Sequence, residues 1–258
     1  MGNLRVDDVS LTYLSKSDAT KALVDIHFSV ENGEFISILG PSGCGKTTLL
    51  SLVAGILKPT SGTVTLDGIP TSSKQANIGY MLQQDYLFPW LSIESNIMLG
   101  QKILGMDKPQ SKDLALSLLE KVGLLDKLTH YPAQLSGGMR QRVALVRMMA
   151  TNPSLLLLDE PFSALDYQTK LKLEDLVATI LKEEQKTAIL VTHDIGEAIA
   201  MSDRVILLSA RPGRIAKIFD IPKEIRGVLP FEARQLSSYT ELFNEIWKEL
   251  ESLETNKG

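Results

Sequence analysis

The stretch GPSGCGKT at residues 40–47 limits the possible folds of this chain more than any other feature. It matches the pattern G-x-x-x-x-G-K-[ST], follows the apolar run FISIL and opens the apolar-patterned segment KTTLLSLVAGIL. Glycines in this context let the backbone curl, so that several N–H groups and a helix N-terminus face one anion. We therefore predict a buried strand, a phosphate-binding loop and a helix that ends at Pro59.

The side chains of this loop are suited to a nucleoside triphosphate. Lys46 provides a compact positive charge for the β- and γ-phosphates, and the hydroxyl of Thr47 can bind Mg²⁺. A glycine turn with an incidental lysine is the alternative, but the flanking strand and helix patterns argue against it. We expect the nucleotide to contact Gly40, Pro41, Ser42, Gly43, Cys44, Gly45, Lys46, Thr47 and Thr48.

Two further apolar runs end in residues that suit phosphate chemistry. LLLLDE at 155–160 predicts a buried strand that brings Asp159 to the metal, where it would hold Mg²⁺ through the water shell. Glu160 would orient or deprotonate the attacking water. LVTH predicts His193 at the end of another strand, where it could donate a hydrogen bond to the γ-phosphate. An acidic turn and a structural histidine are the alternatives.

The order of predicted elements indicates an α/β fold with a P-loop core and a mostly parallel sheet. The N-terminal region predicts antiparallel strands, with LVDIHFSV, the turn ENGE and FISILG forming a hairpin. A helix is expected at 170–184. We assign 1–88 and 151–220 to the nucleotide-binding core, 89–150 to an inserted helical subdomain and 221–258 to a C-terminal helical extension.

Composition excludes several classes of protein. The chain has 258 residues and a net charge of −4, without the basic excess that nonspecific nucleic-acid binding requires, so we expect no nucleic-acid partner. Its one cysteine, Cys44, cannot form an internal disulfide, which fits a reducing compartment. No apolar run approaches the roughly 18 residues of a spanning helix. We therefore expect any membrane association to come through a partner.

A second glycine-centred loop, LSGGMRQR at 135–142, identifies the family that the chain resembles. Together with the motifs above it resembles the ATP-binding cassette ATPases over nearly the whole chain. In that family this loop faces the nucleotide of a second subunit, which implies that Ser136, Gly137 and Gly138 bind ATP across a homodimer. A simple helix cap by Ser136 is the alternative. Met139 replaces a glutamine found in many members, a departure shared by a branch of importers.

The resemblance implies roles for three more residues. Tyr13 matches the aromatic residue that stacks on adenine, although a strand-packing tyrosine is the alternative. Gln83 matches the glutamine that reaches the metal and the attacking water and that links the core to the helical subdomain. Asp166, in SALD, matches the residue that contacts the phosphate loop of the second copy in trans.

The resemblance also implies a role in transport. The motifs YLFPW, SGGMRQR, PFSALD, THDIGEA and SARPGRI resemble the nitrate, sulfonate and taurine importer branch. Such an ATPase would lie at the cytoplasmic side of a prokaryotic membrane, bound to transmembrane permease subunits and indirectly to a solute-binding protein. Its cofactors would be ATP and Mg²⁺. An exporter ATPase and a soluble non-transport ATPase are the alternatives.

Two features of the sequence allow two interpretations each. A helix N-terminus lowers a thiol pKa, so Cys44 could be reactive and its alkylation could block hydrolysis, although a tolerated small residue is the favoured interpretation. Near the C-terminus, six apolar or aromatic residues fall on one helical face and predict either a helix packed on its own domain or a docking face. They are Tyr239, Leu242, Phe243, Ile246, Trp247 and Leu250.

Overall fold

A computed structural model describes residues 2–15, 19–106 and 109–255. The strands are β1 Leu4–Leu14, β2 Ala19–Val30, β3 Phe35–Leu39, β4 Ser61–Leu66, β5 Ile69–Pro70, β6 Ile78–Met81, β7 Leu155–Asp159, β8 Thr187–Val191, β9 Arg204–Leu208 and β10 Ile215–Asp220. The helices are α1 Lys46–Val53, α2 Ile93–Ile103, α3 Pro109–Lys121, α4 Gly137–Met149, α5 Tyr167–Glu183, α6 Ile195–Met201, α7 Lys223–Arg226, α8 Pro230–Ala233 and α9 Ser237–Thr255.

The central sheet has the strand order β10-β9-β3-β8-β7-β6. Its strands are parallel except β10, which pairs antiparallel with β9 at one edge. Every residue of β3, β7 and β8 is buried, as expected for parallel strands covered on both faces. The α/β fold with a mostly parallel sheet is therefore confirmed, and the carboxyl ends of these three strands meet at one edge.

The predicted hairpin between β2 and β3 is wrong. β2 pairs with β1 in a separate antiparallel sheet of order β2-β1-β4-β5, whereas β3 enters the central sheet between β8 and β9. The turn between them contains Gly33 at a φ of 78°. β3 is apolar on both faces except for the buried Ser37, and such a strand is better covered at the centre of a parallel sheet than at an exposed hairpin edge.

Two apolar layers cover the central sheet. The N-terminal sheet and α1 pack on one face, where Leu4, Ile26 and Leu49 are fully buried. Helices α2 to α5 contribute to the cluster on the other face, around Ile97 and Leu145. The helical interpretation of the inserted region is consistent with α2, α3 and α4, but the domain boundaries at 88 and 150 stay predictions.

Helix α1 ends earlier than predicted. It stops at Val53 rather than near Pro59, because Gly55 adopts a left-handed φ of 69° just after the helix. A side chain there would be blocked, since an added Cβ would lie 2.2 Å from the Thr71 carbonyl oxygen. The predicted helix at 170–184 is confirmed as α5, which begins at Tyr167.

The C-terminal helix α9 packs mainly on its own chain, as the favoured interpretation predicted. Ile246 is fully buried against a cluster that includes α6 and β9, and Leu242 and Phe243 pack at its margin. Trp247 departs from the expected buried face, because 53% of its surface is exposed while its ring stacks on Phe243. None of the helices in the described ranges combines the length and apolar character that a membrane-spanning segment requires.

The loop between β9 and β10 supports the phosphate-binding loop from the side. The N–H of Gly213 donates to the Ala22 carbonyl at 2.9 Å, and the Gly213 carbonyl accepts from the Val24 N–H at 2.9 Å. A methyl group on Gly213 would lie 2.1 Å from the Cys44 carbonyl oxygen. Only glycine therefore fits this contact between β2, the loop and the phosphate-binding turn.

We expect Gly213→Ala to lower the free energy of unfolding by about 1–3 kcal/mol, because the methyl group overpacks a backbone contact that cannot relax freely. Urea unfolding followed by circular dichroism measures the change. Gly227→Ala is the matched control, since its added Cβ would come no closer than 3.1 Å to a neighbouring atom. Equal unfolding midpoints for Gly213→Ala and the unchanged protein would contradict the expectation.

Candidate nucleotide-binding site

The predicted phosphate-binding loop connects the carboxyl end of β3 to the N-terminus of α1. Gly43 and Gly45 have φ values of 76° and 99°, which are left-handed conformations that favour glycine. Gly40 lies so close to β9 that an added Cβ would be 2.7 Å from the Leu208 carbonyl oxygen. The sequence therefore folds here as expected, into a turn whose N–H groups lead into a helix N-terminus.

Lys46 spans this loop from inside. Its Nζ donates to the Gly40 carbonyl at 2.7 Å and to the Pro41 carbonyl at 3.2 Å, and only 8% of the residue is exposed. These contacts fix the ammonium group at the mouth of the loop. The neighbouring cysteine behaves differently from the reactive thiol considered above: Cys44 is 1% exposed, and burial raises its pKa. The expectation of a lowered pKa is wrong, because desolvation of the thiolate outweighs the nearby Lys46 charge.

Asp159 ends β7 beside the phosphate loop. Its Oδ2 accepts a hydrogen bond from the Tyr80 hydroxyl at 3.3 Å, and a hydrogen bond also joins its carboxyl group to Thr47. Burial raises the pKa of Asp159, and the neighbouring Glu160 adds to the effect. A buried carboxylate beside a hydroxyl supplies the hard oxygen ligands that Mg²⁺ prefers when it also binds substrate phosphates. The residues present therefore fit this metal.

Glu160 lies at the centre of a small polar cluster. Its Oε1 is 3.3 Å from Nδ1 of His193, and its Oε2 accepts from Nε2 of Gln83 at 3.2 Å. The backbone of Glu160 has a φ of 47°, held by its N–H donating to the Val191 carbonyl at 2.9 Å. Such a conformation is uncommon for a residue with a side chain, and here it accompanies the contacts of Glu160 with His193 and Gln83.

A cavity of about 870 Å³ runs along the phosphate loop from β1 to Glu160. Tyr13 forms part of its wall with 47% of its surface exposed, and its hydroxyl lies 3.4 Å from the Thr48 hydroxyl. The half-exposed ring is accessible from this cavity, and its role in binding adenine stays a prediction. The lining residues are Tyr13, Ala19, Thr20, Lys21, Ala22, Ser42, Gly43, Gly45, Lys46, Thr47, Thr48, Glu160, Arg211 and Pro212.

The second glycine loop lies outside this cavity. Ser136 precedes α4 as its N-cap and accepts a hydrogen bond from the Met139 N–H at 3.4 Å, while Gly137 is exposed. Gly138 is buried, and an added Cβ would lie 2.5 Å from the Thr169 side chain. Asp166 is also exposed and caps α5 through the Thr169 N–H at 3.0 Å. Hydrogen bonds from the Thr169 side chain and from its N–H lower the pKa of Asp166. Within one chain these residues do not line the cavity of the phosphate loop.

The family is decided by comparison with known proteins. The family model described as ABC transporter matches residues 23–163, which is more than half of the chain. The chain belongs to this family. Members of the ABC transporter family with this domain are ATPases, and the predictions of ABC membership and of ATPase activity are confirmed.

Curated relatives in this family include import proteins. An uncharacterized ABC transporter ATP-binding protein, YtlC of Bacillus subtilis, is 61% identical over 98% of both chains. The taurine import ATP-binding protein TauB of Yersinia pestis is 45% identical over 76% of this chain and 77% of its own. The nitrate import ATP-binding protein NrtD of Synechocystis is 40% identical over 83% of this chain and 81% of its own.

Solved structures of ABC cassettes have the same fold. The ATP-binding cassette MJ0796, described as a dimeric post-hydrolysis state bound to ADP and Pi, has a TM-score of 0.74 and 33% identity. The match covers 85% of this chain and 99% of that one. This neighbour supports dimerisation and nucleotide binding for an ABC ATPase of this kind.

Several residues of this ABC site were not expected from the sequence. Tyr80 donates to Asp159, Ser163 lies 3.2 Å from the Gln83 amide, and Arg211 lines the cavity wall. The described part of the chain offers Arg211 no ion-pair partner. Tyr80 precedes Gln83 in a strand pattern and could have been suspected, but the wall position of Arg211 depends on how its loop packs against β2.

We expect Cys44 to react slowly with N-ethylmaleimide in the native ABC ATPase, at least about tenfold slower than in denaturant, because the thiolate is scarce and covered. Mass spectrometry over time measures the modified fraction. Because the pKa of this thiol is raised, the denatured protein should react appreciably at a lower pH than the native one. Equal rates in the native and denatured protein would contradict the assignment of a buried thiol.

Proposed function

We propose that the chain is the ATP-hydrolysing subunit of an ABC importer, working as a dimer around two Mg²⁺-bound ATP molecules. The observation that carries this proposal is the meeting of Lys46, Asp159, Glu160 and His193 at one edge of the central sheet. A cation, a metal-binding carboxylate and a carboxylate–histidine pair are the groups that phosphoryl transfer to water requires. Each lies at or beyond the carboxyl end of a parallel strand, where ligands of α/β sheets bind.

The phosphate loop would bind the triphosphate. Its N–H groups and the Lys46 ammonium would neutralise the β- and γ-phosphates, and the Tyr13 ring would stack on adenine at the far wall of the cavity. Thr47, Asp159 and Gln83 would hold Mg²⁺, which supplies charge neutralisation at the phosphates. Pro41 and Ser42 belong to the same contact surface of the loop.

Glu160 would act on the attacking water. The water oxygen forms a bond to the γ-phosphorus, the bond from that phosphorus to the ADP oxygen breaks, and the water proton passes to the Glu160 carboxylate. The unusual backbone of Glu160 directs its side chain towards both His193 and Gln83. His193 would hold the γ-phosphate by a hydrogen bond, and its contact with Glu160 at 3.3 Å keeps the two groups together.

The second glycine loop would complete the site of another copy. Ser136, Gly137 and Gly138 form an N-terminal turn that is suited to an anion, yet they lie outside the cavity of their own chain. Asp166 is likewise exposed. A dimer that places these residues over the partner's cavity would account for both facts, and the dimeric neighbour with ADP and Pi supports this arrangement.

The segment after Gln83 would transmit the change to permease subunits in the membrane. Arg147 of α4 donates to the Asp85 carbonyl at 2.6 Å and to the Tyr86 carbonyl at 2.8 Å, so the segment is fastened to the helical region. Trp90 is 70% exposed and Tyr86 is 57% exposed. Exposed aromatic rings of this kind suit a docking groove for a partner helix.

The importer branch and its solutes rest on the relatives. Similarity to taurine and nitrate import proteins supports small solutes of the nitrate, sulfonate and taurine kind, delivered by a solute-binding protein to the permease. The ATPase itself would lie at the cytoplasmic face of the membrane through its contact with the permease. No described residue of this chain needs to contact the solute.

We expect Glu160→Gln to slow ATP hydrolysis by about 100-fold or more, because the amide keeps the shape of the side chain but cannot accept the proton. ATP should remain bound and hold two chains together. Phosphate release measures hydrolysis, and size-exclusion chromatography with ATP and Mg²⁺ measures the dimer.

Two variants serve as controls for this test. Lys46→Ala should stay monomeric with ATP, because it loses the charge that binds the triphosphate. Glu120→Gln, an exposed carboxylate of α3, should behave as the unchanged protein. A Glu160→Gln protein that binds ATP yet stays monomeric at high concentration would refute the shared site.

Import is tested with the membrane partner. We expect the chain to purify with a polytopic membrane protein, and hydrolysis in proteoliposomes to rise several-fold when a solute-loaded binding protein is added. Taurine and nitrate are the first solutes to load. Full stimulation by the permease alone would favour an exporter, and purification with ribosomes or DNA instead would overturn the transport role.

A further inference from the structure

A partly buried cluster of charged side chains joins the C-terminal segment to the loop after β8 that contains His193. Arg234 donates to Oε2 of Glu174 at 2.6 Å. Glu174 lies on α5. One turn earlier on this helix, Lys170 contacts Asp194 at 2.6 Å and Glu197 at 2.5 Å. The cluster therefore connects α5, the start of α6 and the region around α8.

The acidic groups of this cluster outnumber the basic ones by one. Three carboxylates share two cations, and Glu174 is fully buried. Its other oxygen, Oε1, has no hydrogen-bond partner among the described atoms. Among the described residues, this carboxyl group is therefore hydrogen-bonded by Arg234, at Oε2. Burial raises the pKa of Glu174 to about 7, and the Arg234 charge acts in the opposite direction.

The cluster reaches the residues on either side of His193. Glu197 accepts from the Thr192 hydroxyl at 2.5 Å, and the same hydroxyl accepts from the Asp194 N–H at 3.0 Å. Asp194 also caps α6 through the Glu197 N–H at 3.1 Å. The backbone before and after His193 is therefore held by the two carboxylates that Lys170 contacts.

We propose that Arg234 is a positioning residue for His193, so that the C-terminal segment helps to set the geometry of ATP hydrolysis. This inference rests on the proposed function. Arg234 contacts Glu174, and Lys170, four residues earlier on α5, acts on Glu174 through its charge. Lys170 in turn contacts the two carboxylates that fix the loop of His193.

The physical reason is competition for one ammonium group. With Arg234 in place, Glu174 is paired, and Lys170 is left to Asp194 and Glu197. Without Arg234, the ionised carboxylate of Glu174 is left unpaired in the interior and draws Lys170 towards itself, because an unpaired buried charge is costly. The contacts that fix the loop at 192–197 then weaken, and His193 loses its fixed distance to Glu160.

The test compares Arg234→Met with the double variant Glu174→Gln/Arg234→Met. We expect Arg234→Met to lower kcat for ATP by between about 5-fold and 100-fold, with KM within about twofold, because His193 is displaced while the phosphate loop is intact. Amide hydrogen exchange at 192–198 should become faster. The double variant removes the competing carboxylate and should restore both kcat and slow exchange.

A matched control and a third variant keep the test decisive. Arg226→Met breaks another ion pair of the C-terminal segment, with Asp203 at 3.0 Å, and should leave kcat unchanged. If Arg234→Met does not fold, Lys170→Met in the double-variant background should lower kcat at constant KM. A wild-type kcat in folded Arg234→Met would overturn the proposal. A wild-type kcat in the triple variant would overturn it too. So would a double variant whose kcat stays as low as that of Arg234→Met.

The exchange measurement separates this proposal from the proposed function. It needs no ATP turnover, so faster exchange at 192–198 in Arg234→Met reports on the cluster in any case. If the wild-type protein does not hydrolyse ATP, the proposed function alone is refuted. If amide exchange in Arg234→Met equals that of the wild-type protein, and the wild-type protein hydrolyses ATP normally, the positioning role alone is refuted.

Discussion

The parallel hydrogen bonding of β3, β8 and β7 is the interaction on which the whole site depends. In this register Ile38 and Asp159 both lie beside Val191, so that all three strands end at the same level of the sheet. The phosphate loop, the acidic pair and His193 follow directly from those ends. The Glu160 N–H continues the same ladder to the Val191 carbonyl, and this bond turns the chain into its left-handed conformation.

Much of this arrangement could be predicted because its signals are local. Lys46, Asp159 and His193 each follow an apolar run, and parallel strands bring the ends of such runs together. The fold class follows from the same alternation of strands and helices. The hairpin between β2 and β3 was wrong because a tight turn looks the same whether the next strand pairs back or enters another sheet, and only burial on both faces of β3 distinguishes the two.

The residues that could not be predicted depend on contacts between distant segments. Arg234 and Glu174 are 60 positions apart, and each resembles an ordinary surface charge of an amphipathic helix. Their meeting depends on how α8 packs against α5. Arg211 reaches the cavity only because Gly213 lies against the phosphate loop and β2. Cys44 shows the opposite error, since its position at a helix N-terminus favours a thiolate while its burial opposes one more strongly.

The site is thus held from two directions with different consequences. The sheet fixes the phosphate loop and the carboxylates rigidly, because every residue of its central strands is buried. Gln83 is held less firmly: its side chain contacts Glu160 at 3.2 Å, while its carbonyl accepts from Gln141 of α4 at 3.2 Å. A movement of the helical region would therefore reach Glu160 through Gln83 as well as through the packing of α4 on the central sheet. The Gln83 link would let the helical region respond to the proposed permease partner, while the predicted phosphate-binding groups keep their place at the edge of the sheet.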